Sequence, residues 1–292
     1  MYTIMITTVL KGGLGNQMFQ IAMVLAYSIR HKNPFYFVYS ESLKVGKERP
    51  TYWDTLMASI KAFTKESYVN PNALYVREDG FTYKQPIYID LPDNKKMDII
   101  FDGYFQSYKY FESEFNLVKK YLKLDEKMDG LRNRFRNDYS LENSIAIHFR
   151  LDDYKLNPGF HPIMPYEYYY NAISHIISTT GKVDWSILVF GQEEDYNDIK
   201  AILVKLISVA EFSQCKFIWA NSAIPDYQQM LLMGLCKHNV IANSSFSWWG
   251  AYIGNSYDSD KIVCYPSKWF GPLANNCVDD LFPTKWNKIS IE

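Results

Sequence analysis

The chain predicts an α/β fold built on parallel sheets, and three observations predict it. Short apolar, β-branched runs alternate with stretches at helical spacing through most of the 292 residues. A glycine-rich turn, Gly12-Gly13-Leu14-Gly15-Asn16, follows the first apolar run and opens the first helical one. Polar and charged clusters fall where strands end, which is where open α/β sheets place their ligands.

In chain order, 3–10 reads as a strand and 11–16 as the glycine turn. Residues 17–30 read as a helix with Met18, Ile21, Ala22 and Leu25 on one face. A second strand is expected at 34–39. The stretch 40–98, rich in Tyr, Lys and Pro, predicts short helices and a hairpin, and 97–103 another strand. Residues 107–124 read as an amphipathic helix and 127–137 as a charged one. The second half alternates more cleanly. Strands are expected at 144–150, 185–191, 215–220, 239–242 and 261–266. Helices are expected at 165–178, 193–209 and 226–236, with a short one ending at Gly254. The polar break at 139–143 precedes a fresh βα series and divides the chain into domains 1–140 and 141–292.

A net charge of −1 excludes a nucleic-acid binder that works through a broad basic surface. Aromatics reach 17%, most of them expected in the core, and their faces also suit sugar rings. Cys215, Cys236, Cys264 and Cys277 form no C-x-x-C pair, so no zinc or dithiol site is signalled and a reduced, cytoplasmic setting is expected. The N-terminal apolar run is short, lacks a basic flank and enters the glycine turn directly, which reads as a strand rather than a signal peptide. No run approaches the about 18 apolar residues that span a membrane.

Three constellations carry chemistry. Asn243-Ser244-Ser245-Phe246-Ser247-Trp248-Trp249-Gly250 follows an apolar strand. Asn243, Ser244 and Ser245 are candidate caps of a helix whose N–H groups and dipole suit an anion. A capped core helix with tryptophans behind it is the other reading. In the second, Gly12 to Asn16, glycines permit positive φ and close backbone approach by a ligand. A tight βα turn without ligand is the alternative. It departs from the dinucleotide fingerprint, because its glycines end one residue early and no acidic residue stands at the end of the second strand. In the third, His148-Phe149-Arg150-Leu151-Asp152-Asp153-Tyr154, a strand delivers a guanidinium suited to phosphate, a histidine and a carboxylate to one strand end. A surface salt bridge is its alternative. Asp152-Asp153 and Asp258-Ser259-Asp260 are the acidic pairs that bear on a metal, and the second reads as an exposed turn. Gly191-Gln192-Glu193-Glu194-Asp195 reads as an acidic helix start favoured by the dipole.

Taken together, these motifs resemble the α-1,2-fucosyltransferases of glycosyltransferase family 11. The resemblance rests on the stretches at 12–20, 103–107, 148–154, 235–251 and 268–270 in the family's order. It implies a GT-B-like fold, two Rossmann-like domains facing an interdomain cleft, with the N-terminal domain on the acceptor side and the C-terminal domain binding GDP-β-L-fucose. It implies inverting transfer of fucose to O2 of a terminal galactose, with no metal or other cofactor. The family's His-x-Arg-Arg-x-Asp pattern falls on His148, Arg150 and Asp153, with Leu151 where the second arginine is usual. Catalysis is therefore expected from Arg150, Asp153 and Asn16, and donor binding from His148, Arg150, Asn243, Ser244, Ser245, Phe246, Gly13 and Gly15. Asp153 is the candidate base, and Asp226 or a backbone group is expected to read guanine. The acceptor is expected to be a galactose-terminated oligosaccharide or lipid-linked glycan, met in the cytoplasm or peripherally at the inner membrane face. Transfer of another nucleotide sugar, and carbohydrate binding without catalysis, are the competing expectations.

Overall fold

The computed structural model describes residues 4–44, 47–69, 72–86, 97–274 and 276–292. Contacts group the chain into two compact units, Met1–Glu126 with Asn276–Pro283, and Lys127–Asn275 with Thr284–Glu292. Residues 127–140, placed with the first domain by sequence, are thus grouped with the second. The Tyr139 hydroxyl accepts from the Asn221 amide at 3.0 Å, and Met128 packs against Gly234.

In the first unit β1 (Ile6–Thr8) leads into α1 (Leu14–His31), β2 (Phe37–Val38), and the antiparallel pair β3 (Ser42–Leu43) and β4 (Arg49–Pro50), the expected hairpin. A 3-10 helix at Ala58–Phe63, β5 (Thr64–Lys65), β6 (Ala73–Arg77), β7 (Asp98–Asp102) and α2 (Phe115–Leu122) follow. The main sheet has the order β1-β7-β6, all parallel. Phe35 bridges to Ile6, so the parallel pair β2–β5 continues beyond β1. Helix α1 starts three residues earlier than expected, because Gly13 in an extended conformation already serves as its N-cap. Residue 3 of the predicted first strand, and 45–46, 70–71 and 87–96 of the stretch 40–98, lie outside the described residues. The predicted helix at 107–124 is two 3-10 turns and then α2, which Lys123 closes at φ +50°. Strand β6 (ALYVR) carries no period-2 hydrophobic signal, since apolar residues stand at four successive positions and Tyr75 is half exposed.

Helix α3 (Leu124–Phe135) leads to the second unit's series: β8 (Ser144–His148), α4 (Tyr166–Thr180), β9 (Ser186–Phe190), α5 (Tyr196–Ile207), β10 (Lys216–Trp219), α6 (Asp226–Leu235), β11 (His238–Val240), α7 (Ser245–Tyr257), β12 (Val263–Pro266) and β13 (Asn287–Ile289). All six strands are parallel, in the order β10-β9-β8-β11-β12-β13. The chain moves outward from β8 through β9 to β10, then returns to β8's other side with β11. That reversal makes the β8/β11 boundary the topological switch point, where such sheets open a crevice at their carboxyl ends. Ile145, Ile147, Ile187 and Val189 meet Ile173, Ile176, Ile199 and Leu203 in the core over the sheet.

Helix α7 runs past the predicted stop at Gly254. An added Cβ at Gly254 would lie 2.3 Å from the Gly234 carbonyl, and one at Gly250 2.7 Å from the Met230 carbonyl. Those glycines let α7 and α6 touch backbone to backbone rather than cap a helix. Trp248 and Trp249 are fully buried, and Trp248 stacks on Tyr252 at 4.7 Å.

Candidate active site

The turns that follow β8 and β11 come together at the switch point. Past β8 the backbone carries Arg150, whose side chain is 19% exposed. Its Nη2 lies 2.5 Å from Asp153 Oδ1 and 3.6 Å from Asp152 Oδ2, and its Nη1 donates to Gln192 Oε1 at 3.1 Å. The guanidinium also lies 5.1 Å from the centre of the Tyr154 ring, within cation–π range. A planar group fixed by two carboxylates, an amide and a ring face is preorganised for an oxyanion.

The turn itself is strained and then anchored. Asp152 has φ +28°, rare for a residue with a side chain. Its N–H donates to Asp195 Oδ2 at 2.9 Å, and Asp195 is buried and paired with Lys155 at 2.7 Å. The acidic loop at 191–195, read from sequence as a helix start, does begin a helical segment. Through Gln192 and Asp195 it also braces the Arg150 turn. The signal that could have found this is the alignment of β9 with β8, since Phe190 pairs with His148 in register.

His148 is the last residue of β8 and is buried. Its ring lies 5.7 Å from that of Phe246, and its carbonyl accepts from the Tyr169 hydroxyl at 3.2 Å. Burial, and secondarily Arg150, hold its pKa down to about 3, so it is a neutral imidazole near pH 7. Its Nδ1 is buried and has no hydrogen-bond partner.

On the β11 side Ser244 is the N-cap of α7. Its Oγ accepts from the Phe246 N–H at 3.3 Å. Ser245 and Phe246 are half-buried at the helix start. Asn243 is buried: its Nδ2 donates to the carbonyls of Pro162 (2.9 Å) and Trp269 (3.1 Å), and its Oδ1 has no hydrogen-bond partner. Tyr154 donates its hydroxyl to the Asn243 carbonyl at 2.9 Å and so ties the two turns together. His161 stacks on the Tyr154 ring, with centroids 4.6 Å apart. Neither Tyr154 nor His161 was assigned a role from sequence. Asp226 starts α6 and its Oδ1 accepts from the Tyr227 N–H.

In the first unit the glycine turn also lies past a strand end. Gly12 has φ +79°, and a Cβ there would lie 2.4 Å from Asn16 Nδ2. Gly13 caps α1, and Gly15 is buried in its first turn. From Leu14 to Ser28 every residue of α1 is buried except Asn16. A polar residue left accessible on an otherwise enclosed helix is placed for contact rather than for packing. Asn16 Oδ1 accepts from Gln106 Nε2 at 2.9 Å.

Among the described residues no group of three or more His, Cys, Asp or Glu is arranged to hold a metal ion, and no helix is long and apolar enough to cross a membrane. Asp258, read as an exposed turn, pairs with Lys237 at 2.8 Å. The four cysteines carry free thiols.

Residues 2–289 match the profile of Glycosyl transferase family 11. The chain belongs to that family. This glycosyltransferase is 27% identical over 315 residues to the O-antigen biosynthesis glycosyltransferase WbnK of Escherichia coli, covering 95% of the chain and 98% of the relative. It is also 27% identical over 304 residues to an α-1,2-colitosyltransferase of Escherichia coli, covering 96% and 97%. Among solved structures, one of an Arabidopsis thaliana FUT1 mutant in complex with GDP aligns at a TM-score of 0.48 and 14% identity, over 90% of this chain and 70% of that one. As a transferase with two α/β units, each built on parallel strands, the chain has the composition of the GT-B-like fold expected of it.

Proposed function

We propose that this family 11 transferase is an inverting galactoside α-1,2-L-fucosyltransferase that uses GDP-β-L-fucose. The observation that carries the reading is that Arg150 and the start of α7 follow the adjacent strands β8 and β11, either side of the switch point. Departure of GDP breaks the bond between C1 and the β-phosphate oxygen and leaves negative charge on that phosphate. Arg150 and the positive end of the α7 dipole at Ser245 stabilise it, the kind of electrostatic term that usually dominates such catalysis. The galactose O2 attacks C1 from the opposite face, which inverts the anomeric centre. His148 and Ser244 line the donor side, and Asn243 shapes it from behind. For Gly13 and Gly15 the proposal keeps the donor-binding role, and for Asn16 the catalytic role, that the family's glycine-turn motif implies. Asp153 holds Arg150 in place. To take the O2 proton it must first release that guanidinium, so a weakly nucleophilic attack on an oxocarbenium-like C1 fits better than strong base catalysis, with the O2 proton passing to solvent water once the new C1–O2 bond forms. This chemistry needs no metal, and EDTA is expected to leave the rate unchanged.

The colitosyltransferase relative favours one second reading, the same linkage made with a different nucleotide-activated sugar. The name of the O-antigen relative supports a polysaccharide precursor as acceptor; that it is met at the inner membrane face is part of the proposal alone. A donor panel with galactose-terminated acceptors, followed by mass spectrometry and linkage analysis, tests both. The account expects a fucosyl α-1,2-galactoside from GDP-fucose. Product from another nucleotide sugar alone would replace the first reading with the second.

A further inference from the structure

Glu78 follows β6, where the ladder continues through its N–H donating to the Asp102 carbonyl at 3.0 Å. Its side chain reaches across the end of β7. Oε2 accepts from two successive backbone N–H groups, Tyr104 at 2.6 Å and Phe105 at 2.9 Å. Two adjacent N–H groups in a turn with a left-handed residue form an anion-binding concavity. Phe105 supplies that residue at φ +52°, and here the protein fills the concavity with its own carboxylate. Gly103 makes room for it, since a Cβ there would lie 2.3 Å from the Glu78 Cβ and 2.7 Å from Oε2. The turn closes with the Ser107 N–H on the Phe105 carbonyl at 2.8 Å and the Ser107 hydroxyl on the Asp280 carbonyl at 2.5 Å. Between those two fixed points stands Gln106, buried, whose Nε2 donates to Asn16 Oδ1. On its other side the Asn16 amide faces Gly12, where no side chain fits.

We propose that Glu78 is a positioning residue for glycosyl transfer: its carboxylate sets the 103–105 turn, and the turn aims Gln106 so that the Asn16 amide is held in one orientation. The proposal rests on the reading above that Asn16 belongs to the transfer machinery. It accounts for a charged group at a strand end that the donor chemistry does not use. It also joins the 103–107 motif, to which sequence assigned no chemistry, to the glycine turn.

The test uses the full-length protein with Glu78→Ala, Glu78→Gln, Asn16→Ala and the double variant Glu78→Ala/Asn16→Ala. Glu78→Ala is expected to lower kcat about 10²-fold, the scale of a displaced catalytic group, with KM for GDP-fucose changed less than about 3-fold. Glu78→Gln keeps the shape and one acceptor, and is expected to lose only about 10-fold; it serves if the alanine variant fails to fold. The double variant is expected to be no slower than Asn16→Ala alone, because both changes break one chain of contacts. The side-chain NH2 resonances of Asn16, read by NMR without substrate, are expected to shift in both Glu78 variants. If Asn16→Ala lowers kcat while Glu78→Gln leaves kcat and the Asn16 resonances unchanged, the positioning role is overturned and the functional reading stands. Losses that multiply in the double variant overturn it equally. An unchanged kcat in Asn16→Ala overturns the reading of Asn16, and the positioning role with it.

Discussion

The turn before α1 and the turns after β8 and β11 all lie past parallel strand ends, yet different chemistry holds them. The α1 turn carries an ion pair at its entrance, Lys11 Nζ with Asp102 Oδ1 at 3.0 Å, and from there it is pinned by neutral amides. Gln20 Oε1 accepts from the Lys11 N–H and its Nε2 donates to the Lys11 carbonyl, at 3.0 and 3.1 Å. Gln17 donates to the carbonyls of Gly12 and Pro50, and Gln106 donates to Asn16. The second unit's turns are pinned by ion pairs and hydroxyls: Arg150 with Asp153, Lys155 with Asp195, Tyr154 with Asn243, and Ser244 at its own helix start. Amide hydrogen bonds fix the position of the Asn16 side chain without adding charge beside it. The Arg150 turn places a guanidinium past the end of β8, the group that the proposed function assigns to phosphate charge. Glycine differs between the regions as well. Gly12 is required by its backbone angle, whereas Gly250 and Gly254 are required by the closeness of α6.

The largest effect that sharpens this contrast is on the cation. Arg150→Ala is expected to lower kcat for transfer about 10²- to 10³-fold with the circular dichroism spectrum unchanged; turnover within a few-fold of wild type would remove the charge from the account. Next come the glycines. Gly254→Ala is expected to cost about 3 kcal/mol of stability, because a methyl group would meet backbone rather than a flexible side chain. Gly12→Ala is expected to cost about 1–3 kcal/mol through its positive φ and to slow turnover as well, because it crowds Asn16. Thermal melts paired with kinetics separate the two, and equal activity losses in both would break the distinction. A graded effect follows with pH. His148 is held to about 3 and His238 to about 4 by burial, against an ordinary value of 6.5. The unfolded chain therefore binds more protons below pH about 6.5, and stability is expected to fall as pH drops from there toward 4. His148→Gln is expected to flatten part of that slope in denaturant titrations; an identical slope would mean that His148 does not contribute. The smallest effect is Ser244→Ala, about 1 kcal/mol for a lost cap, seen as a small drop in melting temperature.

Much of this was legible in the sequence for physical reasons. Strands buried on both faces, such as β8 and β9, read as unbroken apolar runs, and the Arg150, Asn243–Phe246 and Gly12–Asn16 clusters follow strands directly. What stayed hidden depends on contacts between distant segments. Strand order is not written in any local pattern, so the adjacency of β8 and β11 emerges only on folding. The glycines of α7 look like a stop signal until α6 is against them. Asp195 and Gln192 look like a helix start until β9 pairs with β8. Glu78 carries no local motif, because its partners lie 26 and 27 residues further along.

The central claim is that the donor's phosphate charge is met by the Arg150 turn and not by the amide-held turn. Calorimetric titration of GDP into wild type, Arg150→Ala and Asn16→Ala tests it most directly. The account predicts affinity weakened at least about 10-fold in Arg150→Ala, as for loss of a charged hydrogen-bonding group, and near wild-type affinity in Asn16→Ala. Undiminished GDP binding in Arg150→Ala together with lost binding in Asn16→Ala would contradict it.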